Sequence, residues 1–200
     1  MIHKYDVYRS PNVGLFVRTN NDTLLLPFGF AETKAKKLKE YLDVEKIIHV
    51  SIAGTRLIGP MTVMNNNGIL LPSTVSDDEI RILKQTGLNV ERLKSKFTAI
   101  GNLISANDKG AVVSNLFKGE VDQNIKDILG VPLQTLSIGG YIQVGSMIVA
   151  TNAGAIVHPI ASDSEISTIS EILQVEAEPA TVNGGSPFLS SGILANFSSV

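Results

Sequence analysis

Apolar and polar positions follow a repeating order along this chain. In Gly59-Pro-Met-Thr-Val-Met-Asn-Asn-Asn-Gly-Ile-Leu-Leu-Pro72 an apolar run enters an asparagine-rich turn, a second apolar run follows, and a proline stops it. This order predicts a β-hairpin with an Asn-Gly turn. It returns in Gly101-Asn-Leu-Ile-Ser-Ala-Asn-Asp-Lys-Gly-Ala-Val-Val-Ser114 and in Gly145-Ser-Met-Ile-Val-Ala-Thr-Asn-Ala-Gly-Ala-Ile-Val-His158. Gly14 to Pro27 is a looser copy, and Ile193 to Val200 begins another. With Thr23, Gly68, Gly110, Gly154 and Ser199 as markers, the intervals are 45, 42, 44 and 45 residues. In the first four copies a glycine stands nine positions before the marker: Gly14, Gly59, Gly101 and Gly145. Self-similarity at a fixed period decides the architecture before any local reading does.

Between hairpins the period changes from that of a strand to that of a helix. Ala31 to Leu42 is rich in helix formers. Ser76-Asp-Asp-Glu79 and Ser162-Asp-Ser-Glu165 are capping boxes. Val121, Ile125, Ile128 and Leu129 lie at helical spacing, as do Ile166, Ile169, Ile172 and Leu173. Each helix exit carries Leu-x-Val, and a strand follows: Lys46 to Ile52, Val90 to Ala99, Gln134 to Ile138, Glu176 to Val182. The unit is therefore strand, strand, helix, strand. The units run over 14–58, 59–100, 101–144 and 145–191, with 192–200 incomplete. Such a unit cannot bury its sheet and helix alone, so neighbours must cover it. The N-terminal Ile2 to Tyr8 reads as a third strand, and residues 1–13 are expected to complete the fifth unit in part. That would close a ring and remove exposed edges. One strand and one helix, about 20 residues, are then missing, so the natural chain is expected to extend further. An open array with a partial cap is the alternative.

Composition narrows the chemistry. Hydrophobic residues make up 44% of the 200 positions, enough for a sizeable core. No apolar run could span a bilayer and the start is too polar for a signal peptide, which suits a cytoplasmic protein. The net charge of −2 argues against bulk attraction to nucleic acid. Cysteine is absent, which removes disulfides and thiolate chemistry. His3, His49 and His158 have no second ligand at metal spacing, and Asn65 to Gly68 and Asn107 to Gly110 lack the carboxylates of a calcium loop. No metal, cofactor or catalytic residue is expected.

Several separated motifs resemble the translation initiation factor 6 family of archaea and eukaryotes. They are Ser51-Ile-Ala-Gly-Thr-Arg-Leu-Ile-Gly59, Ala99-Ile-Gly-Asn102 with Asn107-Asp108, Val144-Gly-Ser146, Gly154 to Pro159, and Thr181-Val-Asn-Gly-Gly-Ser186. The resemblance spans the chain. It implies a five-bladed α/β propeller of the pentein type with pseudo-fivefold symmetry. It also implies a factor that binds the large ribosomal subunit at its intersubunit face. There it would touch ribosomal protein near the sarcin–ricin loop, with possible contact to ribosomal RNA, and block the small subunit without chemistry. A role in large-subunit biogenesis belongs to the same implication. Eukaryotic members carry an arginine where this chain has Pro60. Other penteins are enzymes that attack guanidino compounds with a cysteine thiolate, which this chain lacks. A generic protein-binding scaffold is the third reading.

The junction from each third strand into the next hairpin is expected to gather on one face of a ring. Asn12, Arg56, Asn102, Tyr141 and Asn183 are the candidate docking residues, with Arg56 and Asn102 foremost. The bland alternatives are a turn-forming side chain for Asn102 and an ordinary ion pair for Arg56. Arg92, Lys94 and Lys96 alternate onto one strand face, either to touch RNA phosphate or to guard an edge. Lysines 34, 36, 37 and 39 read as a solvated helix face. A monomer is expected.

Overall fold

The computed structural model describes residues 1–117, 119 and 121–200. The first unit opens on a single helical turn, α1 (Val13–Phe16), and continues through β1 (Arg18–Thr19), β2 (Thr23–Leu26), α2 (Glu32–Leu42) and β3 (Lys46–His49). The second runs α3 (Ile58–Met61), β4 (Val63–Met64), β5 (Gly68–Leu71), α4 (Asp77–Leu83) and β6 (Asn89–Arg92). In the third a 3-10 turn at Ile100–Asn102 takes the place of the opening helix; β7 (Ile104–Ala106), β8 (Ala111–Ser114), α5 (Asp122–Leu129) and β9 (Leu133–Leu136) follow. The fourth has α6 (Val144–Met147), β10 (Ile148–Ala150), β11 (Ala155–Val157), α7 (Asp163–Leu173) and β12 (Ala177–Pro179). A last helical turn, α8 (Leu189–Gly192), opens a fifth.

Each unit folds its strands into a separate three-stranded sheet. The first two strands are antiparallel and the second and third parallel, joined by the unit's helix. The register keeps step from unit to unit: Leu24 faces Ile47, Ile69 faces Val90, Ala111 faces Leu133 and Ala155 faces Ala177.

The second strands read as continuous apolar runs because both of their faces are buried. Leu24 and Leu26 pack with Ala35, Leu38 and Leu42 of their own helix. Leu25, between them, belongs with Ile58, Ile69 and Leu83 of the next unit. Leu70 joins the third unit's core in the same way, and Val112 the fourth's. Each sheet is thus a partition between its own helix and its neighbour. Burying one such leucine is worth about 1.5–3 kcal/mol.

The repeating glycines lie in the short opening turns, ahead of the first strands. These turns touch one another in a closed circle: α1 with α3, α3 with the 100–102 turn, that turn with α6, α6 with α8, and α8 with α1. A side chain on Gly59 would overlap the Gly14 carbonyl, one on Gly101 that of Gly59, and one on Gly145 that of Gly101. Backbone packs on backbone around the axis, and only glycine permits it.

The expected N-terminal strand Ile2 to Tyr8 shortens to one parallel pairing. The His3 N–H donates to Val200 O (2.8 Å) and the Val200 N–H donates to Met1 O (2.9 Å). Ile2 therefore faces Val200 as Ile47 faces Leu24, the relation of third to second strand. The expected strand Val90 to Ala99 ends at Arg92. Leu93 turns into the core, and the Ser95 N–H bonds back to Leu93 O (2.8 Å), so Lys94 and Lys96 are not strand residues.

Candidate functional site

Four of the five junctions between units are tight turns whose central residues are left-handed. Tyr8-Arg9, Ala53-Gly54 and Gly139-Gly140 each have positive φ and are closed by the bridges Val7–Ser10, Ile52–Thr55 and Ile138–Tyr141. Asn183-Gly184-Gly185 is the same turn with one more residue, closed by Val182–Ser186. Glycine suits these positions; a side chain there costs about 1–2 kcal/mol. Tyr8 is held there by edge-on contacts with Phe16 and Phe30, at 5.1 and 6.1 Å between ring centroids.

Two helix starts brace these turns. At Ser76 the capping box forms, and the Glu79 carboxylate accepts from the Ser51 hydroxyl (2.8 Å) and the Gly54 N–H (2.9 Å). Glu165, in the second box, accepts from the Gly139 N–H (3.0 Å). Burial of Glu79 works to raise its pKa, but the hydrogen bonds from Gly54, Ser76 and Ser51 outweigh it, leaving the pKa below its ordinary 4.5. A lowered carboxylate stabilises the fold above its unfolded pKa and ceases to do so as pH falls through the folded one. The melting temperature of Glu79→Gln is therefore expected to lie below wild type at neutral pH. The gap should close as the pH drops below the carboxylate range, and a gap that persists in strong acid would refute the assignment.

The short-helix end of the axis opens into a funnel of about 580 Å³. Leu15, Pro60, Asn102, Ser146 and Ser191, one residue from each unit, line it. Asn12, Tyr141 and Phe188 also line it. The structure thus brings Asn12, Asn102 and Tyr141 into one wall. Asn183 stands beside them, its amide donating to the Asn12 Oδ1 (3.3 Å). Arg56 does not line it; its guanidinium lies 5.7 Å from the Tyr8 ring centroid, and among the described residues it makes no ion pair. The Asn102 N–H closes its own turn onto Ala99 O (3.1 Å), while its half-buried side chain faces the funnel. Tyr141 is 53% exposed. Leu57 and Phe188, both exposed, hold the station that Asn12 holds in its unit, and reading the repeats station by station would have found them.

At the opposite end the hairpin turns meet. Asn65 and Asn107, three positions before their markers, accept from their own turn amides and donate onward. The Asn65 amide reaches Asn107 O (3.1 Å) and Leu129 O (2.8 Å); that of Asn107 reaches Thr151 O (3.0 Å) and Leu173 O (2.8 Å). Asn20 bonds to Asn65 O (3.1 Å), and Asn196 to Leu42 O (2.6 Å). These stretches are clamps between units. Among the described residues no group of His, Asp and Glu is placed to hold a metal ion.

Two of the remaining cations, Arg92 and Lys34, have local partners. Arg92 donates to Val75 O (2.8 Å) and pairs with Asp77 (2.6 Å), which fastens the edge strand to the start of α4. Lys34 pairs with Asp6 (2.9 Å). No helix among the described residues is long and apolar enough to cross a membrane.

Comparison with known proteins agrees with this architecture and gives it a family. Among solved structures, a dimethylarginine dimethylaminohydrolase superposes with a TM-score of 0.57 at 14% identity, over 84% of this chain and 68% of the other. That likeness identifies the pentein fold. The translation initiation factor 6 of Cenarchaeum symbiosum is 50% identical over the whole chain and 90% of its own length. That of Nitrosopumilus maritimus is 50% identical over 98% of this chain and 88% of its own length, and that of Pyrococcus horikoshii 38% over 100% and 90%. The model of the eIF-6 family matches residues 2–200, and with these relatives it places the chain in the eIF-6 family of translation initiation factors.

Proposed function

We propose that the funnel face docks on the intersubunit side of the large ribosomal subunit and blocks joining of the small subunit by occupying its place. The observation that carries this reading is the funnel itself: each unit brings a residue to one broad end of a rigid ring. Exposed Tyr141, Phe188, Leu57 and Tyr8 surround it, with Arg56 beside Tyr8. Aromatic residues and arginine are what protein interfaces concentrate at their centres. The partner in this reading is ribosomal protein beside the sarcin–ricin loop, with ribosomal RNA at the margin. The factor works as a cytoplasmic monomer, and its occupancy of maturing large subunits gives it a part in their biogenesis.

The action is steric and needs no catalysis. The pentein enzymes' thiolate has no counterpart, because the chain contains no cysteine. The carboxylates at the site, Glu79 and Glu165, are spent on bracing turns.

Co-sedimentation with separated subunits tests the proposal. Wild type is expected to travel with the large subunit only and to lower re-association. Asn102→Ala with Arg56→Ala should bind at least about tenfold more weakly while melting as wild type does, since neither residue holds the core. Binding of wild type to neither subunit would overturn the reading. Undiminished binding by the folded double variant would remove these two residues from the interface.

A further inference from the structure

The axis carries a charge that docking does not use. Arg18 lies in β1, five positions before its marker, where the other units have Val63, Ser105, Val149 and Leu194. A station that is otherwise apolar or small here holds a guanidinium. Arg18 lines an internal cavity of about 50 Å³ together with Ser105, Ile148, Val149, Ser190 and Leu194. Gly14, at the ring of short turns, also lines this cavity. Beyond it a second space of about 40 Å³, bounded by the asparagine turns, shares Thr19, Met64 and Ala106 with the first. The guanidinium therefore sits midway along the axis, between the two rings.

Among the described residues no carboxylate lies within salt-bridge distance of Arg18. The Asp108 carboxylate, which lines the adjoining space, is taken up by the Asn66 and Asn152 amides that donate to it. The hydroxyls beside it are turned to carbonyls: Thr19 donates to Asn20 O (2.9 Å) and Ser105 to Ile148 O (3.4 Å). Arg18 as a whole is only half-buried, but withdrawal of its guanidinium from bulk water draws its pKa down to about 10, which leaves it charged at neutral pH. A charge drawn out of bulk water without a partner is destabilising, and a few waters repair that only in part. An anion would both cancel the charge and accept the free N–H groups.

We propose that this axial cavity binds a small monovalent inorganic anion, chloride or an ion of its size, held by the Arg18 guanidinium. The cavity has room for such an ion with a water or two, by the measure of about 10–15 Å³ for each water. It excludes nucleotides and phosphorylated metabolites. Bound there, the ion ties the first unit to the others along their common axis.

Thermal unfolding in chloride and in gluconate at equal ionic strength tests this, because gluconate is too large for the cavity. Wild type is expected to melt about 3–6 °C higher in chloride, the shift for an ion present at roughly ten times its dissociation constant. Arg18→Met should show no difference between the two salts. Crystals grown in bromide should give an anomalous peak on the axis at hydrogen-bond distance from the guanidinium. Equal melting of wild type in both salts, or a chloride effect undiminished in Arg18→Met, would overturn the proposal. So would bromide crystals without a peak beside Arg18, and that result decides the matter alone should the variant not fold.

Discussion

Gly59→Ala is expected to leave no stably folded protein. The added carbon would overlap the Gly14 carbonyl oxygen and come within 2.9 Å of its carbon. Both atoms are backbone, held in the circle of short turns, so no flexible side chain can give way. Overpacking a core usually costs about 1–3 kcal/mol. Here the obstruction lies between main chains, and a loss above about 4 kcal/mol is expected, a large part of the stability of an ordinary domain. Circular dichroism and soluble yield would read it directly. Gly154→Ala is the control: the nearest atom to its added carbon is Glu176 O at 3.6 Å, and its φ is not positive. That variant should stay within about 0.5 kcal/mol of wild type. If Gly59→Ala melts within a few degrees of wild type, the turns do not pack as described.

The same glycines show what the amino-acid order reveals and what it conceals. Their spacing was plain, and the period yielded the unit, the helices and the pairing of successive strands. Their purpose was hidden, because a close approach between units is a tertiary fact. Gly68 illustrates this. It looks like the glycine of an Asn-Gly turn, yet its φ is not positive, and it is needed because the end of α5 crosses it at Ile128. The capping boxes were legible since they are local. That their glutamates also reach Gly54 and Gly139 was not, because those turns are more than twenty residues away along the chain. Three of the five candidate docking residues share the funnel wall, because residues at related stations of a ring must lie at related places. Arg56 departs from the group because the left-handed turn at Tyr8 presents a ring face to it. Arg18 escaped notice altogether: a lone arginine in a short strand reads as surface until the strand is seen to face the axis.

Asn107→Ala should be strongly destabilising at the other end of the axis, as should its equivalent Asn65→Ala. The Asn107 side chain, 4% exposed, makes four hydrogen bonds. Its oxygen accepts from the Lys109 and Gly110 N–H groups (both 2.9 Å) and so shapes its own turn. Its amide donates to Thr151 O of the next turn and to Leu173 O, an orphan carbonyl at the end of α7. Alanine removes all four and leaves buried partners unmatched, at about 1–3 kcal/mol for each group that water cannot reach. Water will satisfy some of them, so a net loss of about 3–5 kcal/mol is expected, or a melting temperature lower by roughly 6–20 °C for a chain of this size. Asn107→Asp separates the two halves of the role. It keeps the acceptor for the turn but sets a carboxylate against two carbonyls, so it should fare no better than alanine. If the turn alone mattered, aspartate would restore most of the stability, and the clamp between units would be refuted. The fourth unit supports the clamp from the opposite direction. Its counterpart, Thr151, is too short to reach a neighbour, and its hydroxyl instead bonds within its own turn, donating to Gly154 O (3.1 Å) and accepting from the Ala153 N–H (3.1 Å). Thr151→Ala, which severs nothing between units, should therefore cost no more than about 1–2 kcal/mol, and the contrast between the two positions measures what the clamp contributes.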